Sequence, residues 1–305
     1  MNAQTAAAGL LGDTPGRDYA RKLALFNAFA APEIRCAVAS LGLKPGMRVL
    51  DVGCGTGEAL GWLSAAVQPG GMVVGIDLSI AHVTAARTTA PEDCLIVQGD
   101  LCRPPFPPAS FDAIWSVNTV NHLHDRLAGL KTMASLLRPG GCIALGQSLL
   151  LPEMVFAWDS RLERVTNEAV RRYYRDRYGL DERDLADVRA IVGLLRSAGF
   201  DRVNARTFMI ERLAPLRPED ERYLVEAIFR NTWGARLKPY LAEDDYAALS
   251  RLCDPLHPEF ALRRPDFHFL QTFTLATGEY QGESAGRIVP WRRSHGPMGL
   301  SPGST

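Results

Sequence analysis

Short apolar runs and amphipathic stretches alternate through the middle of the chain. Runs rich in aliphatic and β-branched residues predict strands over residues 49–52, 72–76, 95–98, 111–116 and 142–149. Apolar residues at helical spacing predict helices over residues 58–67, 79–89 and 125–137. Strands that are apolar on both faces are typical of a parallel sheet covered by helices. The pattern therefore predicts an α/β fold that begins with five strand–helix units.

Weaker patterns continue on both sides of this segment. Residues 202–213 and 267–277 predict a sixth and a seventh strand, and residues 185–198 predict a helix that ends at Gly199. An apolar stripe over residues 17–41 predicts two helices, the second of which begins at Pro32. Two further segments are helical by pattern but fall outside the alternation, and we expect them to be insertions; they cover residues 151–184 and 214–265.

The first strand leads into a glycine-rich loop with an acidic residue beside it. The segment Val49–Gly57 reads Val-Leu-Asp-Val-Gly-Cys-Gly-Thr-Gly, and its three glycines permit a sharp turn and close approach of a ligand to the backbone. A dinucleotide loop needs the spacing G-x-G-x-x-G, but Glu58 stands where its third glycine would be. Asp51 would also repel a diphosphate. The loop therefore favours a cationic ligand.

This motif resembles the first motif of the class I S-adenosylmethionine-dependent methyltransferases, and the turn Arg138-Pro139-Gly140-Gly141 is another feature of that family. The specific part of the resemblance covers about residues 49–150. It implies an α/β fold with a doubly wound, seven-stranded, mostly parallel sheet, the Rossmann-like methyltransferase fold. In that fold the seventh strand is antiparallel and lies between the fifth and the sixth.

The resemblance also implies the cofactor, S-adenosyl-L-methionine, with S-adenosyl-L-homocysteine as its product. Asp77, at the end of the second strand, would accept hydrogen bonds from both ribose hydroxyls, and the alternative is a helix-capping role before Ser79. Leu78 would pack on the adenine face, while Asp100 would accept a hydrogen bond from the adenine amino group with Leu101 against the ring. The other predicted cofactor-binding residues are Asp51, Gly53, Cys54, Gly55, Gly57, Asn118 and Tyr19. The alternative for Tyr19 is that it is an ordinary aromatic residue of an amphipathic helix.

The loop after the fourth strand should line the methyl-transfer site, because ligands bind at the carboxyl ends of strands in open parallel sheets. His122 lies in this loop, and its side chain suits proton removal near neutral pH. Two roles stay open for it, a general base or a residue that orients the loop. Asn121 is a candidate substrate contact, whereas His124 is interpreted as a solvated neighbour of the next helix.

The two insertions are rich in aromatic residues and are predicted to form helical lids over the ligand cleft. Tyr173, Tyr174 and Trp233 are the candidate walls of a substrate pocket. The alternative is that aromatic residues at helical spacing belong to the core. The arginines beside the tyrosine pair either meet an acidic group of the substrate or form a solvated face, which is more typical of long charged side chains. They are Arg171, Arg172 and Arg175.

Composition narrows the class of partner. The 305 residues contain 34 Lys plus Arg and 34 Asp plus Glu, a formal net charge of zero that disfavours a nucleic-acid enzyme. The six cysteines include no C-x-x-C pair, so we expect no metal site, no disulfide framework and a cytoplasmic location. No apolar run approaches the roughly 20 residues of a membrane span, and no membrane partner is expected. The expected oligomeric state is a monomer or a homodimer.

These observations predict one methyltransferase domain over residues 17–280, with a cofactor-binding core over residues 42–150 and flexible tails over residues 1–16 and 282–305. The predicted reaction is direct transfer of a methyl group to O, N or C of a small organic molecule, a specialised natural-product metabolite. Two alternatives stay open: a nucleic-acid methyltransferase, and a cyclase or isomerase that binds the same cofactor without methyl transfer.

Overall fold

The computed structural model describes residues 20–148, 155–156, 159–178 and 187–282. Within these residues the strands form one sheet and are β1 (Arg48–Val52), β2 (Met72–Asp77), β3 (Leu95–Gln98), β4 (Phe111–Val117), β5 (Leu137–Ser148), β6 (Val155–Phe156), β7 (Asp201–Leu213) and β8 (His268–Tyr280). The α-helices are α1 (Ala20–Ala39), α2 (Glu58–Val67), α3 (Ile80–Thr89), α4 (Arg126–Leu136), α5 (Ser160–Tyr178), α6 (Asp187–Ser197), α7 (Pro218–Tyr223) and α8 (Glu243–Cys253). A π-helical segment, Leu224–Thr232, follows α7, and a 3-10 helix, Ala235–Tyr240, precedes α8.

The first five strands are parallel and lie in the order β3-β2-β1-β4-β5. Asp51 of β1 lies beside Gly75 of β2 and Trp115 of β4, so the carboxyl ends of these three strands meet at one edge of the sheet. The fifth strand begins earlier than predicted, because Leu137 already pairs with Phe111 before the bulge that precedes the regular pairing. The five predicted strands are otherwise confirmed, as are the helices between β1 and β2, between β2 and β3, and between β4 and β5.

The C-terminal strand β8 completes the sheet in the antiparallel direction. It pairs with β5 on one edge and with β7 on the other, which confirms the predicted position of the seventh strand. The two-residue strand β6 pairs with Phe269 and Leu270, just past the Ser148–Phe273 pair, and so continues the line of β5. The predicted seven-stranded, mostly parallel α/β sheet is therefore confirmed, with β6 as a short addition at the carboxyl end of β5.

Apolar side chains cover both faces of the sheet, as its strand pattern requires. Neighbouring residues of β4 point to opposite faces, so that Trp115 belongs to one buried cluster and Ile114 to the other. The Trp115 cluster also contains side chains of α1, α2 and the insertions, whereas the Ile114 cluster contains side chains of α4 and α6. The inserted helices therefore share a core with one face of the sheet.

Residues 20–39 form one continuous helix, and the prediction of two helices separated at Pro32 is wrong. Pro32 lies inside α1, where it lacks the backbone N–H of a normal helical residue. Buried side chains continue on both sides of it, from Phe29 and Ala30 to Ile34 and Ala37. Packing of this uninterrupted apolar face against the core outweighs the local cost of the proline.

Both insertions are mainly helical where the structure describes them, and the first also contributes strand β6. The first contains α5, and the second contains α7, the π-helical segment, the 3-10 helix and α8. The predicted flexible tails lie outside the described residues, except for Gly282. None of the described helices combines the length and hydrophobicity that crossing a membrane requires.

Candidate cofactor and acceptor site

The turn between β1 and α2 depends on glycines in left-handed backbone conformations. Gly53 has a φ of 72° and Gly57 a φ of 89°, values that residues with a Cβ rarely adopt. A Cβ at Gly53 would collide with the side chain of Thr119, and a Cβ at Gly57 would lie 2.9 Å from Ala86 Cα on α3. The turn is thus packed tightly between α3 and the loop after β4, and no larger residue fits at either position.

A buried carboxyl group lies directly before this turn. Asp51 is 2% exposed, and its Oδ2 accepts no hydrogen bond from the described residues. Burial raises the pKa of the Asp51 carboxyl well above its ordinary value, and the charges of Asp77 and Glu58 raise this pKa further. A positive charge beside these three acidic groups would stabilise the ionised form of Asp51. The residues present therefore fit a cationic cofactor such as S-adenosylmethionine.

Cys54 is also buried, and burial followed by the charges of Asp51 and Asp77 raises the pKa of its thiol well above the ordinary value. Its thiol is therefore neutral and unreactive near neutral pH. The Cys54 side chain contacts the second strand so closely that a Cβ at Gly75 would lie 2.9 Å from its sulfur. This contact explains why a small residue lies at that point of β2.

Asp77, the predicted ribose ligand at the end of β2, holds the glycine turn. Its Oδ2 accepts the Gly55 N–H at 2.9 Å, and its Oδ1 accepts the Ser79 N–H at 2.9 Å. The ring of His82 lies against the same carboxylate, with Nδ1 3.2 Å from Oδ1. Ser79 itself caps α3 by accepting the backbone N–H of His82. Ribose binding by Asp77 stays a prediction, and His82 is a contact that the sequence pattern did not identify.

The predicted adenine contacts lie at the ends of β2 and β3. Leu78, directly after β2, is 36% exposed. Asp100 accepts the backbone N–H of Cys102 through its Oδ1 at 2.8 Å, and Leu101 is buried. These positions are compatible with a ring that covers Leu78, and the adenine contacts stay predictions.

The loop after β4 is tied to β5 by Asn118. This residue has a φ of 53°, and its side-chain Oδ1 accepts the Ser148 N–H at 2.8 Å. Its predicted cofactor contact stays a prediction, because the described role of its amide oxygen is structural. Asn121 and His122 follow in a short 3-10 helix, and Asn121 Oδ1 is buried without a hydrogen-bond partner among the described residues. An unpartnered oxygen suits the predicted substrate contact of Asn121.

Helix α1 packs against the glycine turn. Asn27 donates a hydrogen bond to Glu58 Oε2 at 2.7 Å, and Leu23 approaches Gly55 so closely that a Cβ there would lie 3.1 Å from its Cδ1. Tyr19, a predicted cofactor contact, lies immediately before α1 and outside the described residues.

A buried ion network joins α1 to the second insertion. Arg212 of β7 is 9% exposed and forms a bidentate pair with Glu33 of α1, at 2.8 and 3.0 Å. Its Nε also donates to Asp220 of α7 at 3.0 Å, and its guanidinium lies over the ring of Phe29. The sequence pattern treated Arg212 as an ordinary strand residue, because nothing local shows that partners from two other elements surround it.

The candidate pocket aromatics have different surroundings. Tyr173 is half-buried and makes edge contacts with Tyr174 and Tyr240, at ring separations of 5.5 and 6.1 Å. Trp233 is 2% exposed and stacks on Phe229 within the core. Its packing against protein therefore accounts for its burial, as in the core alternative. Whether any of the three contacts substrate stays a prediction.

Charged groups of α5 lie mostly at the surface. Arg172 and Arg175 are exposed, as expected for a solvated face, and Arg172 lies over the Tyr240 ring.

Within the part of the chain that the structure describes, no group of three His, Cys, Asp or Glu side chains is arranged to hold a metal ion.

Comparisons with known proteins match the part of the chain that carries the glycine turn. Residues 49–141 match a family model described as a methyltransferase domain. The chain is 38% identical over 117 residues to the 27-O-demethylrifamycin SV methyltransferase of Amycolatopsis mediterranei, a match that covers 37% of this chain and 42% of that protein. It is 32% identical over 189 residues to phosphoethanolamine N-methyltransferase 1 of Zea mays, covering 61% of this chain and 34% of the relative. The chain thus spans less than half the length of these curated relatives.

The whole fold also has a counterpart among solved structures. The YcgJ protein from Bacillus subtilis superposes with a TM-score of 0.52 at 18% identity, covering 83% of this chain and 99% of that one. At this identity the likeness shows the fold alone. Over residues 49–141, which carry the glycine loop and the strands β1 to β4, the chain is therefore identified as a class I S-adenosylmethionine-dependent methyltransferase domain.

Proposed function

We propose that this chain transfers a methyl group from S-adenosyl-L-methionine to O, N or C of a small organic molecule, a specialised natural-product metabolite. The observation that carries the proposal is the buried carboxyl of Asp51 beside Asp77, Glu58 and the glycine turn, whose Oδ2 has no hydrogen-bond partner among the described residues. The names of the relatives support a small acceptor, since one acts on a rifamycin and another on phosphoethanolamine.

The residues of the site would act mainly by binding and orientation. When bound, S-adenosylmethionine supplies a methyl group that its sulfonium already activates. Asp51 offers a negative charge to the cationic cofactor, and Asp77 offers its remaining hydrogen-bonding capacity to the ribose while it holds the turn. The loop that carries Asn121 and His122 places the acceptor, and alignment within an enclosed site is itself a large rate factor. His122 removes a proton only if the acceptor atom carries an acidic one.

The remaining parts of the proposal concern the whole protein. One domain over residues 17–280 carries the site, and the insertions close it with Tyr173, Tyr174 and Trp233 toward the acceptor. Its partner is a small molecule rather than nucleic acid or membrane, and it works as a monomer or homodimer in the cytoplasm. All six cysteines are unpaired, which supports a reducing compartment.

Two measurements on the full chain test this proposal. Calorimetry should detect binding of S-adenosylmethionine, and mass spectrometry should detect products that are one methyl group heavier when candidate acceptors are supplied with the cofactor. Cofactor binding with products of unchanged mass would point to a cyclase or isomerase. Methylation of RNA or DNA in place of small molecules would point to a nucleic-acid enzyme, and the absence of cofactor binding would contradict the proposal altogether.

A further inference from the structure

Helix α5 contains two buried polar atoms without hydrogen-bond partners among the described residues. Thr166 is 0% exposed and Asn167 is 9% exposed, and the two atoms are Thr166 Oγ1 and Asn167 Oδ1. A threonine hydroxyl inside a helix commonly bonds to the carbonyl oxygen one turn earlier, but Thr166 makes no such bond. Because buried polar groups are nearly always hydrogen-bonded in native proteins, these two adjacent atoms are candidates for contact with a bound molecule.

Helix α5 lies near the carboxyl edge of the sheet. It packs against β6, which continues β5 beyond its carboxyl end, and against the 3-10 helix of the second insertion. Two further unpartnered oxygens, of Asp51 and Asn121, belong to the carboxyl ends of β1 and β4. Helix α5 therefore lies toward the same edge of the sheet as the cofactor loop.

The chemistry of this helix face restricts the ligand. Over residues 161–177, every charged side chain of α5 is exposed or half-buried, and the buried side chains are Leu162, Thr166, Asn167, Ala169 and Val170. An ionised group placed against such a face would lose its hydration without gaining a counter-charge. An amide oxygen accepts a hydrogen bond, and a threonine hydroxyl both donates and accepts. A neutral hydroxyl group on the ligand satisfies both residues.

We infer that the buried face of α5 binds the methyl acceptor, and that Thr166 and Asn167 hydrogen-bond to a hydroxyl group of an uncharged organic molecule. This inference rests on the proposed methyltransferase function. It selects neutral hydroxylated acceptors over phosphate esters and amines, because the exposed Arg172 and Arg175 do not line the buried face.

The test uses two near-isosteric variants and a matched control in the full chain. Thr166→Val and Asn167→Leu remove the unpartnered atoms. Thr232→Val removes an equally buried hydroxyl that is already satisfied, since Thr232 Oγ1 donates to Ala227 O at 2.9 Å. The probes are a panel of neutral phenols and aliphatic alcohols, with the phosphate ester and the amine analogue of each, and methyl-labelled S-adenosylmethionine is the donor.

We expect neutral probes to be methylated, and we expect the α5 variants to raise KM for these probes roughly 2- to 12-fold each, the value of one neutral hydrogen bond. Cofactor affinity should not change. The melting temperature of the α5 variants should stay the same or rise, whereas that of the control should fall.

Methylation of phosphate esters or amines only, or of no probe, overturns the inference about the ligand. A fall in melting temperature in Thr166→Val equal to that of the control shows the hydroxyl to be structural and overturns its role. Loss of cofactor binding by the parent chain would instead contradict the proposed function.

Discussion

Replacing Asp51 by Asn should stabilise the cofactor-free protein and weaken its binding of S-adenosylmethionine. In the absence of a cation, the Asp51 carboxyl is buried beside Asp77 and Glu58, and one of its oxygens has no partner among the described residues. An unsatisfied buried polar group costs about 1–3 kcal/mol, and more if it is charged. Removing the charge should therefore raise the melting temperature by about 2–4 °C for each kcal/mol recovered, the scale for domains of 150–250 residues.

The pH dependence of stability follows from the raised pKa of Asp51. The folded state keeps a proton that the unfolded chain releases near its ordinary pKa of about 3.9. The free energy of unfolding contributed by this group therefore falls as pH rises from about 3.9 through the raised pKa, and it is constant above that value. The Asn variant should lack this fall. Cofactor affinity should change in the opposite direction and increase with pH over the same range, because the ionised carboxylate is the form that attracts a cation.

Calorimetry and thermal unfolding of the parent and variant check both effects. A charge-assisted hydrogen bond contributes about 1.5–3 kcal/mol, so affinity for S-adenosylmethionine should fall roughly 10- to 150-fold. 5′-Methylthioadenosine lacks both the sulfonium and the amino-acid group, and its affinity should not change. Asp112→Asn is a matched control, because Asp112 accepts hydrogen bonds from Arg48 and Arg138 at the opposite end of the sheet. A lower melting temperature of Asp51→Asn with unchanged cofactor affinity would refute this reasoning.

Three further substitutions test other parts of the site. Asp77→Ala should reduce cofactor affinity by about 1.5–3 kcal/mol per lost charge-assisted hydrogen bond. It should also lower the melting temperature, because the Gly55 N–H loses its acceptor. An unchanged cofactor affinity in calorimetry would remove Asp77 from the site. His122→Asn should reduce turnover about 10²–10⁴-fold with a titration near neutral pH if His122 is a base, whereas loss of thermal stability with normal turnover at saturation would show an orienting role. Gly57→Ala should weaken cofactor binding measured by calorimetry, because a Cβ meets Ala86 Cα at 2.9 Å and the turn must move; an unaltered affinity would show that the turn tolerates a shift.

The sequence predicted the parts of the molecule that local patterns determine. Buried strands and the turns between them depend on neighbouring residues, so the alternation from β1 to β5 and the glycine loop could be identified directly. Pro32 shows the limit of such reasoning, because its effect on α1 is decided by packing against residues far away in the chain. The same holds for Arg212, whose partners Glu33 and Asp220 come from two other elements.

The same distinction between local pattern and packing with distant residues applies to the candidate site. Asp51 and Asp77 were identifiable because a motif of fixed spacing carries them, but the amide partners of Asp77 and its contact with His82 appear only in three dimensions. Helical spacing could not show that Trp233 would pack inside the core. It could not show that Thr166 would be buried without a partner either, since periodicity identifies a face and not what that face meets.

The place of β8 in the sheet has a consequence for synthesis of the protein. β5 and β7 are both complete before His268 leaves the ribosome, yet each must wait for β8 to cover one of its edges. Until then the nascent chain exposes unpaired strand edges, which can pair with other chains. Substitutions that weaken β8 should therefore lower the yield of folded protein in cells and increase aggregation, even where they lie far from the cofactor turn and leave the chemistry of the folded molecules unchanged.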